Sequence, residues 1–163
     1  MNKALFLDRD GTINIDTGYV HKAEDFFLID GILDLCQKAQ EKGYKIIVIT
    51  NQSGIARGYF SEKEYKKLTD YMCQKFEKNG IVITDVFHCP DLSGPDRKPN
   101  PGLFLKAKEK YNLDMEQSVS VGDKERDIQA GIAAGVGRNF LFNDKKENTN
   151  PSSKTFEEIK DLL

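Results

Sequence analysis

Short apolar runs of strand length alternate with amphipathic helical stretches along this 163-residue chain. Lys3–Leu7, Lys45–Ile49, a run within Ile81–Phe87, Ser118–Val121 and Gly137–Phe142 read as strands. Each is brief, rich in branched or aromatic residues, and closed by polar or turn residues. Between them, Ile32, Leu33, Leu35, Cys36 and Ala39 recur at helical spacing ahead of Lys42-Gly43. Ser61 and Glu64 form a capping box before the stripe Tyr65, Leu68, Met72 and Phe76. Pro101 opens a further helix where its missing N–H costs nothing, Glu125–Ala134 is helical, and Thr155 with Glu158 caps a short last one. Gly11–Asp25 reads as an excursion loop or small hairpin, and Asn143–Lys154 as a polar connector. Strands that alternate with helices predict a doubly wound α/β fold: a parallel, Rossmann-like sheet covered on both faces, in one domain spanning residues 1–163.

Charge and cysteine content narrow the function classes. Lys and Arg number 24 against 26 Asp and Glu, and no basic stripe interleaves with aromatics, so a nucleic-acid partner is not expected. The apolar run Ala4–Leu7 stops at Asp8, too short for a signal peptide or a membrane span. Cys36, Cys73 and Cys89 are widely spaced with no CxxC pair, which suits a reducing compartment, and the helical patterns around Cys36 and Cys73 suit buried apolar roles for those two. His21 and His88 are expected to be structural. The expectation is a cytoplasmic protein, monomeric or a small homo-oligomer, with no membrane partner.

Polar residues gather where apolar runs end, and ligands of doubly wound sheets bind at the carboxyl ends of strands. After the first run comes Asp8-Arg9-Asp10-Gly11-Thr12. Two carboxylates this close repel, so one tends to hold a proton, which separates an ionised nucleophile from a protonated acid. The alternative is a solvated Asp-Gly turn. After the second run, Thr50-Asn51-Gln52-Ser53-Gly54 offers a hydroxyl, backbone amides and a glycine permitting close approach, features that suit an oxyanion as well as a helix cap. Arg97-Lys98-Pro99 places cations ahead of a helix, where Lys98 could hold phosphoryl oxygens. Gly122-Asp123 ends the fourth run, and Asp123 with Asp8 supplies the hard oxygen ligands that Mg²⁺ takes. Asp127 could orient Lys98 or a metal-bound water, or simply place favourable charge at a helix N-terminus.

The four stretches in this order resemble the motifs of the haloacid dehalogenase superfamily, and the resemblance covers nearly the whole chain. It implies that Asp8 is the nucleophile and Asp10 the general acid and base. Mg²⁺ would be held by Asp8, the backbone carbonyl of Asp10, and Asp123, while Thr50 and Lys98 would bind the transferring phosphoryl group. About 40 residues separate Asp10 from Thr50 and about 48 separate Thr50 from Lys98, and core elements fill most of both intervals. A cap domain therefore has no room, and the Gly11–Asp25 and Gln52–Phe60 loops are the expected walls.

DRDGTIN, GYV, TNQSGIARG, RKPNPG and VGDKERD are similar to the heptose bisphosphate and histidinol phosphatase branch. That resemblance implies a small sugar phosphate substrate, the 7-phosphate of a heptose 1,7-bisphosphate, with histidinol phosphate or another small phosphomonoester as the alternative. Thr50, Asn51, Gln52, Ser53, Arg57, Arg97, Lys98 and Lys124 are the candidate substrate-binding residues. A phosphotransferase would need a cap to exclude water, and a non-catalytic module would be expected to have lost Asp8, Asp10, Lys98 or Asp123. The branch often carries a zinc loop with several cysteines. Here only Cys89 stands in that region, so no zinc is expected.

Overall fold

In a computed structural model, residues 1–144 and 152–163 are described. Among the described residues, six parallel strands form one sheet: β1 (Lys3–Leu7), β2 (Tyr44–Asn51), β3 (Ile83–Cys89), β4 (Val119–Gly122), β5 (Arg138–Phe142) and β6 (Ser153–Lys154). They lie in the order β3-β2-β1-β4-β5-β6. The helices are α1 (Ile32–Glu41), α2 (Glu62–Glu77), α3 (Gly102–Tyr111), α4 (Glu125–Ala133) and α5 (Phe156–Leu162).

Alternate residues of each central strand feed opposite cores, as the two-residue period of a strand requires. Leu5, Leu7, Ile46, Val48, Val119 and Val121 meet α1, α2 and α5 on one face. Ala4, Phe6, Ile47 and Ile49 meet α3 and α4 on the other. The doubly wound arrangement follows directly. Burial of each large side chain contributes roughly 1.5–3 kcal/mol. The chain order reverses at β1, which pairs with β2 on one side and β4 on the other, and this opens a crevice at their carboxyl ends.

Local chemistry explains the helix ends. Ser61 and Thr155 accept hydrogen bonds from the backbone N–H of Glu64 and Glu158, completing both expected capping boxes. Two elements depart from expectation. β3 starts inside the expected run, at Ile83, but continues past Phe87 to Cys89, which pairs with Asn51 of β2. Ser153–Lys154, read as connector, pairs with β5 as a sixth strand; two residues are too few to carry a periodic signal. The middle of that connector lies outside the described residues.

Cys36 and Cys89 are buried, Cys73 is half-buried, and all three are free thiols. Burial pushes the Cys36 thiol well above its ordinary range. His21 stacks on Phe60, and His88 stacks on Tyr65 while pairing with Glu62. Among the described residues, no helix is long and apolar enough to cross a membrane.

Candidate active site

The first strand end delivers Asp8 into the crevice. Its N–H still bonds to the Val121 carbonyl of β4 at 3.1 Å, after which the chain turns, with the N–H groups of Thr12 and Ile13 both donating to the Arg9 carbonyl. Gly11 completes the turn at φ +89°, in the left-handed region. A Cβ at Gly11 would stand 2.2 Å from Oδ2 of Asp123, so two motifs far apart in sequence press together here.

Lys98, 2% exposed, reaches across the crevice from the loop after β3. Its Nζ lies 2.9 Å from Oδ1 of Asp8, 2.6 Å from Oδ1 of Asp127 and 2.7 Å from the Ile49 carbonyl. Burial alone would push the Lys98 pKa down, but Asp8 and Asp127 outweigh it and lift it above the ordinary lysine value. The ammonium therefore stays charged. Burial and then the Asp127 carboxylate push Asp8 well above the aspartate range, with Lys98 pulling against them and Asp123 adding to them. Burial likewise raises Asp123, only partly offset by its hydrogen bond with Asp8. Asp127 does both things considered for it: Oδ1 pairs with Lys98, while Oδ2 accepts from the Lys124 N–H at the start of α4.

This donor set fits a hard divalent cation. Oxygens of Asp8, Asp123 and Asp127 lie within 4.8 Å of one another. Oδ1 of Asp123 is buried without a hydrogen-bond partner. One lysine against three carboxylates leaves net negative charge, and with Asp127 engaged by Lys98, the ligands remaining are Asp8 and Asp123. Few carboxylates and a polar, partly open cleft are what Mg²⁺ takes.

The second strand end supplies Thr50, 1% exposed, and the residues after it. Thr50 and Asn51 belong to β2 itself, paired with His88 and Cys89. The side chain of Asn51 makes a reciprocal pair with the backbone of Lys98, donating to its carbonyl at 3.1 Å and accepting from its N–H at 3.0 Å. Gln52 turns inward and donates to the Thr50 hydroxyl and to Asp10. Both residues line the cleft, yet their amides serve neighbouring site residues. At Gly54, the space of the absent side chain is filled by Phe60, whose ring a Cβ would meet at 2.2 Å.

Asp8, Asp10, Thr50, Asn51, Gln52, Ser53, Arg57, Arg97, Lys98 and Lys124 all border one cleft of about 370 Å³. Asp123 lies just beneath it, its Oδ2 3.8 Å from Nζ of Lys124. Arg57 packs over Ser53, and Arg97 donates to the Asp91 carbonyl. Sequence reasoning missed Arg126, Asp16 and Tyr19, which also line the cleft. Arg126 was legible as a second basic residue beyond Asp123, whereas Tyr19 was marked only by the resemblance of the GYV stretch. The Gly11–Asp25 excursion and the loop after β2 form the walls. They are joined by Tyr19 edge-on to Tyr59 and by His21 stacked on Phe60. Among the described residues, no inserted domain covers the opening.

Residues 15–135 match the haloacid dehalogenase-like hydrolase family. The chain belongs to that family. It is 47% identical over 162 residues to a D-glycero-alpha-D-manno-heptose-1,7-bisphosphate 7-phosphatase of Campylobacter jejuni, covering 99% of this chain and 94% of that one. It is 43% identical to a D-glycero-beta-D-manno-heptose-1,7-bisphosphate 7-phosphatase of Helicobacter pylori, with 99% and 98% covered. Among solved structures it superimposes on a D,D-heptose 1,7-bisphosphate phosphatase of B. bronchiseptica complexed with magnesium and phosphate. The TM-score is 0.84 at 27% identity, covering 99% of this chain and 97% of that one.

Proposed function

We propose that this family member is a magnesium-dependent phosphatase that removes the 7-phosphate of D-glycero-D-manno-heptose 1,7-bisphosphate. The observation that carries the reading is Lys98. A buried, charged ammonium binds Asp8 at 2.9 Å within a cleft whose other walls bear Arg57, Arg97, Lys124 and Arg126. One cation site serves the reacting phosphate, and the remaining cations suit a second phosphate on the same small molecule.

In this reading an Asp8 carboxylate oxygen forms the new bond to phosphorus while the bond to the sugar oxygen breaks. Asp10 gives its proton to that leaving oxygen, and later takes one from the water that releases phosphate and regenerates Asp8. Lys98 and the Thr50 hydroxyl hold the phosphoryl oxygens, and because Lys98 is already fixed by Asp127, its charge needs no reorganisation as the reaction proceeds. Asp8, Asp123 and the Asp10 carbonyl would hold Mg²⁺, which when bound neutralises charge on the phosphoryl group.

Magnesium is the metal of this reading, and zinc has no part in it. Cys89 supports that choice, since its thiol is buried in the core with Ile49 and Leu103. The cytoplasm is the compartment proposed, in keeping with three free thiols.

The test is phosphate release with Mg²⁺ from both anomers of the heptose bisphosphate and from histidinol phosphate, with Asp8→Asn as control. Preference for a bisphosphate, abolished in the control, supports the reading. Preference for histidinol phosphate overturns the substrate, and activity surviving in Asp8→Asn overturns the mechanism.

A further inference from the structure

One buried charge behind the cleft lining has no task in this mechanism. Arg9, between the two motif aspartates in sequence, is 1% exposed. Its Nε donates to Oδ1 of Asp10 at 3.0 Å and its Nη2 to Oδ2 at 3.1 Å, a two-point pairing of guanidinium with carboxylate. Adjacent residues of an extended strand point to opposite faces, so this contact exists only because the chain turns at the Arg9 carbonyl.

Two more donors close on the same carboxylate. Asn14 Nδ2 donates to Oδ1 at 3.0 Å, and Gln52 Nε2 donates to Oδ2 at 3.1 Å. Gln52 is itself 3% exposed, accepts from Arg9 Nη2 at 3.4 Å, and donates to the Thr50 hydroxyl at 2.9 Å. Arg9 Nη2 also donates to the Val20 carbonyl at 2.7 Å, tying the Gly11–Asp25 excursion to the same point. A side chain free to rotate on a loop is here held from three directions.

We propose that Arg9 and Gln52 are positioning residues: they hold the Asp10 carboxyl in one orientation at the cleft, with Val20 locking the excursion loop to that arrangement. The inference rests on Asp10 being the proton donor to the leaving oxygen. These four donors fill the acceptor sites of the Asp10 carboxylate, so the arrangement holds the anion, and its proton is taken up at the Oδ2 site that Gln52 vacates while the Arg9 fork and Asn14 keep the carboxyl in place. As Asp8 bonds to phosphorus, the electron pair of the breaking P–O bond takes that proton without a rotational search. Such a role is felt only where the leaving oxygen is a poor one. A purely structural role is felt equally by every substrate.

The experiment measures kcat/KM with Mg²⁺ for an alkyl phosphate and for a series of aryl phosphates with increasingly acidic leaving groups. This parameter reports steps up to phosphorylation of Asp8. Arg9→Lys keeps the charge and loses the fork; Gln52→Met keeps the volume and loses the amide. General acid catalysis is worth about 10²- to 10⁴-fold. The alkyl-to-aryl ratio of kcat/KM is therefore expected to fall by about 30- to 100-fold in Arg9→Lys and by a smaller factor in Gln52→Met. Equal loss on all substrates in both variants overturns the proposal. Should Arg9→Lys fail to fold in thermal unfolding, the same ratio in Gln52→Met decides. Asp10→Asn separates the two claims. If it hydrolyses the alkyl phosphate at the wild-type rate, Asp10 is not the donor and both readings fall. If it is impaired there while the Arg9 and Gln52 variants lose evenly, the positioning role alone falls.

Discussion

Gly11→Ala is a direct probe of how the two aspartate motifs meet. The substitution has two separable effects. The first is conformational: at φ +89° an L-residue costs about 1–2 kcal/mol, offset by a few tenths because alanine also restricts the unfolded chain. The second is local to the site. The new Cβ would lie 2.2 Å from Oδ2 of Asp123, so that carboxylate must retreat by roughly an ångström from its place beside Asp8. A displaced ligand weakens a metal site by about 10- to 100-fold. Gly43→Ala is the control, with φ +86° at the end of α1 and nothing within 4 Å of its Cβ. Urea unfolding should show both variants destabilised by about 1 kcal/mol. Titration of activity with Mg²⁺ should show the half-saturating concentration raised about 10-fold or more in Gly11→Ala alone. Equal Mg²⁺ dependence in the two variants would refute the argument that Gly11 exists to seat Asp123.

Two further outcomes follow from the charges. Lys98→Met leaves Asp8 and Asp127 buried without their ammonium, so unfolding should show a loss of about 3–5 kcal/mol at neutral pH and turnover should fall at least about 10²-fold; wild-type stability would refute the electrostatic account. On the outer strand, burial pushes Asp85 up, but hydrogen bonds from Lys110, Tyr111 and the Val86 N–H outweigh it and hold its pKa below the ordinary value. Its folded pKa being depressed, the stability it contributes is present above the ordinary aspartate pKa and lost as pH falls through the folded value. Asp85→Asn should thus cost no more than about 1 kcal/mol at pH 7, since the Lys110 ammonium that pairs with it is exposed to solvent. The difference from wild type should vanish in acid, and a difference persisting there would point to packing instead.

The sequence made the sheet and its chemistry legible for one reason. Runs such as Ala4–Leu7 are apolar because both faces are covered, and the first polar residue after such a run must sit at the strand end. Asp8, Thr50 and Asp123 were found by that logic, and Lys98 by its place on the loop that leads from the third run to a helix. What escaped was side-chain direction. Nothing in Asp-Arg-Asp says that the arginine turns inward to grip its neighbour, because that depends on a turn closed by Asn14 and Val20. Likewise the glycine after Ser53 suggested room for an oxyanion, while the structure fills that room with Phe60 from the far end of the same loop. β6 escaped because pairing of two residues depends on a neighbour, β5, and leaves no pattern of its own.

The strand order has a consequence for how the chain comes to be made. β1 sits between β2 and β4, and Ala4 is bonded to Ser118 across 114 residues of sequence. During synthesis this central strand thus emerges long before one of its two neighbours exists. It can dock early on β2, but its other edge stays open until β4 arrives, and pairings so distant are slow to form. Asp8 waits on the same event, since the carboxylate opposite it is carried on the residue just past β4. A nascent chain released before that point would expose a bare apolar edge and have no means of turning over substrate, so structural completion and chemical competence arrive together.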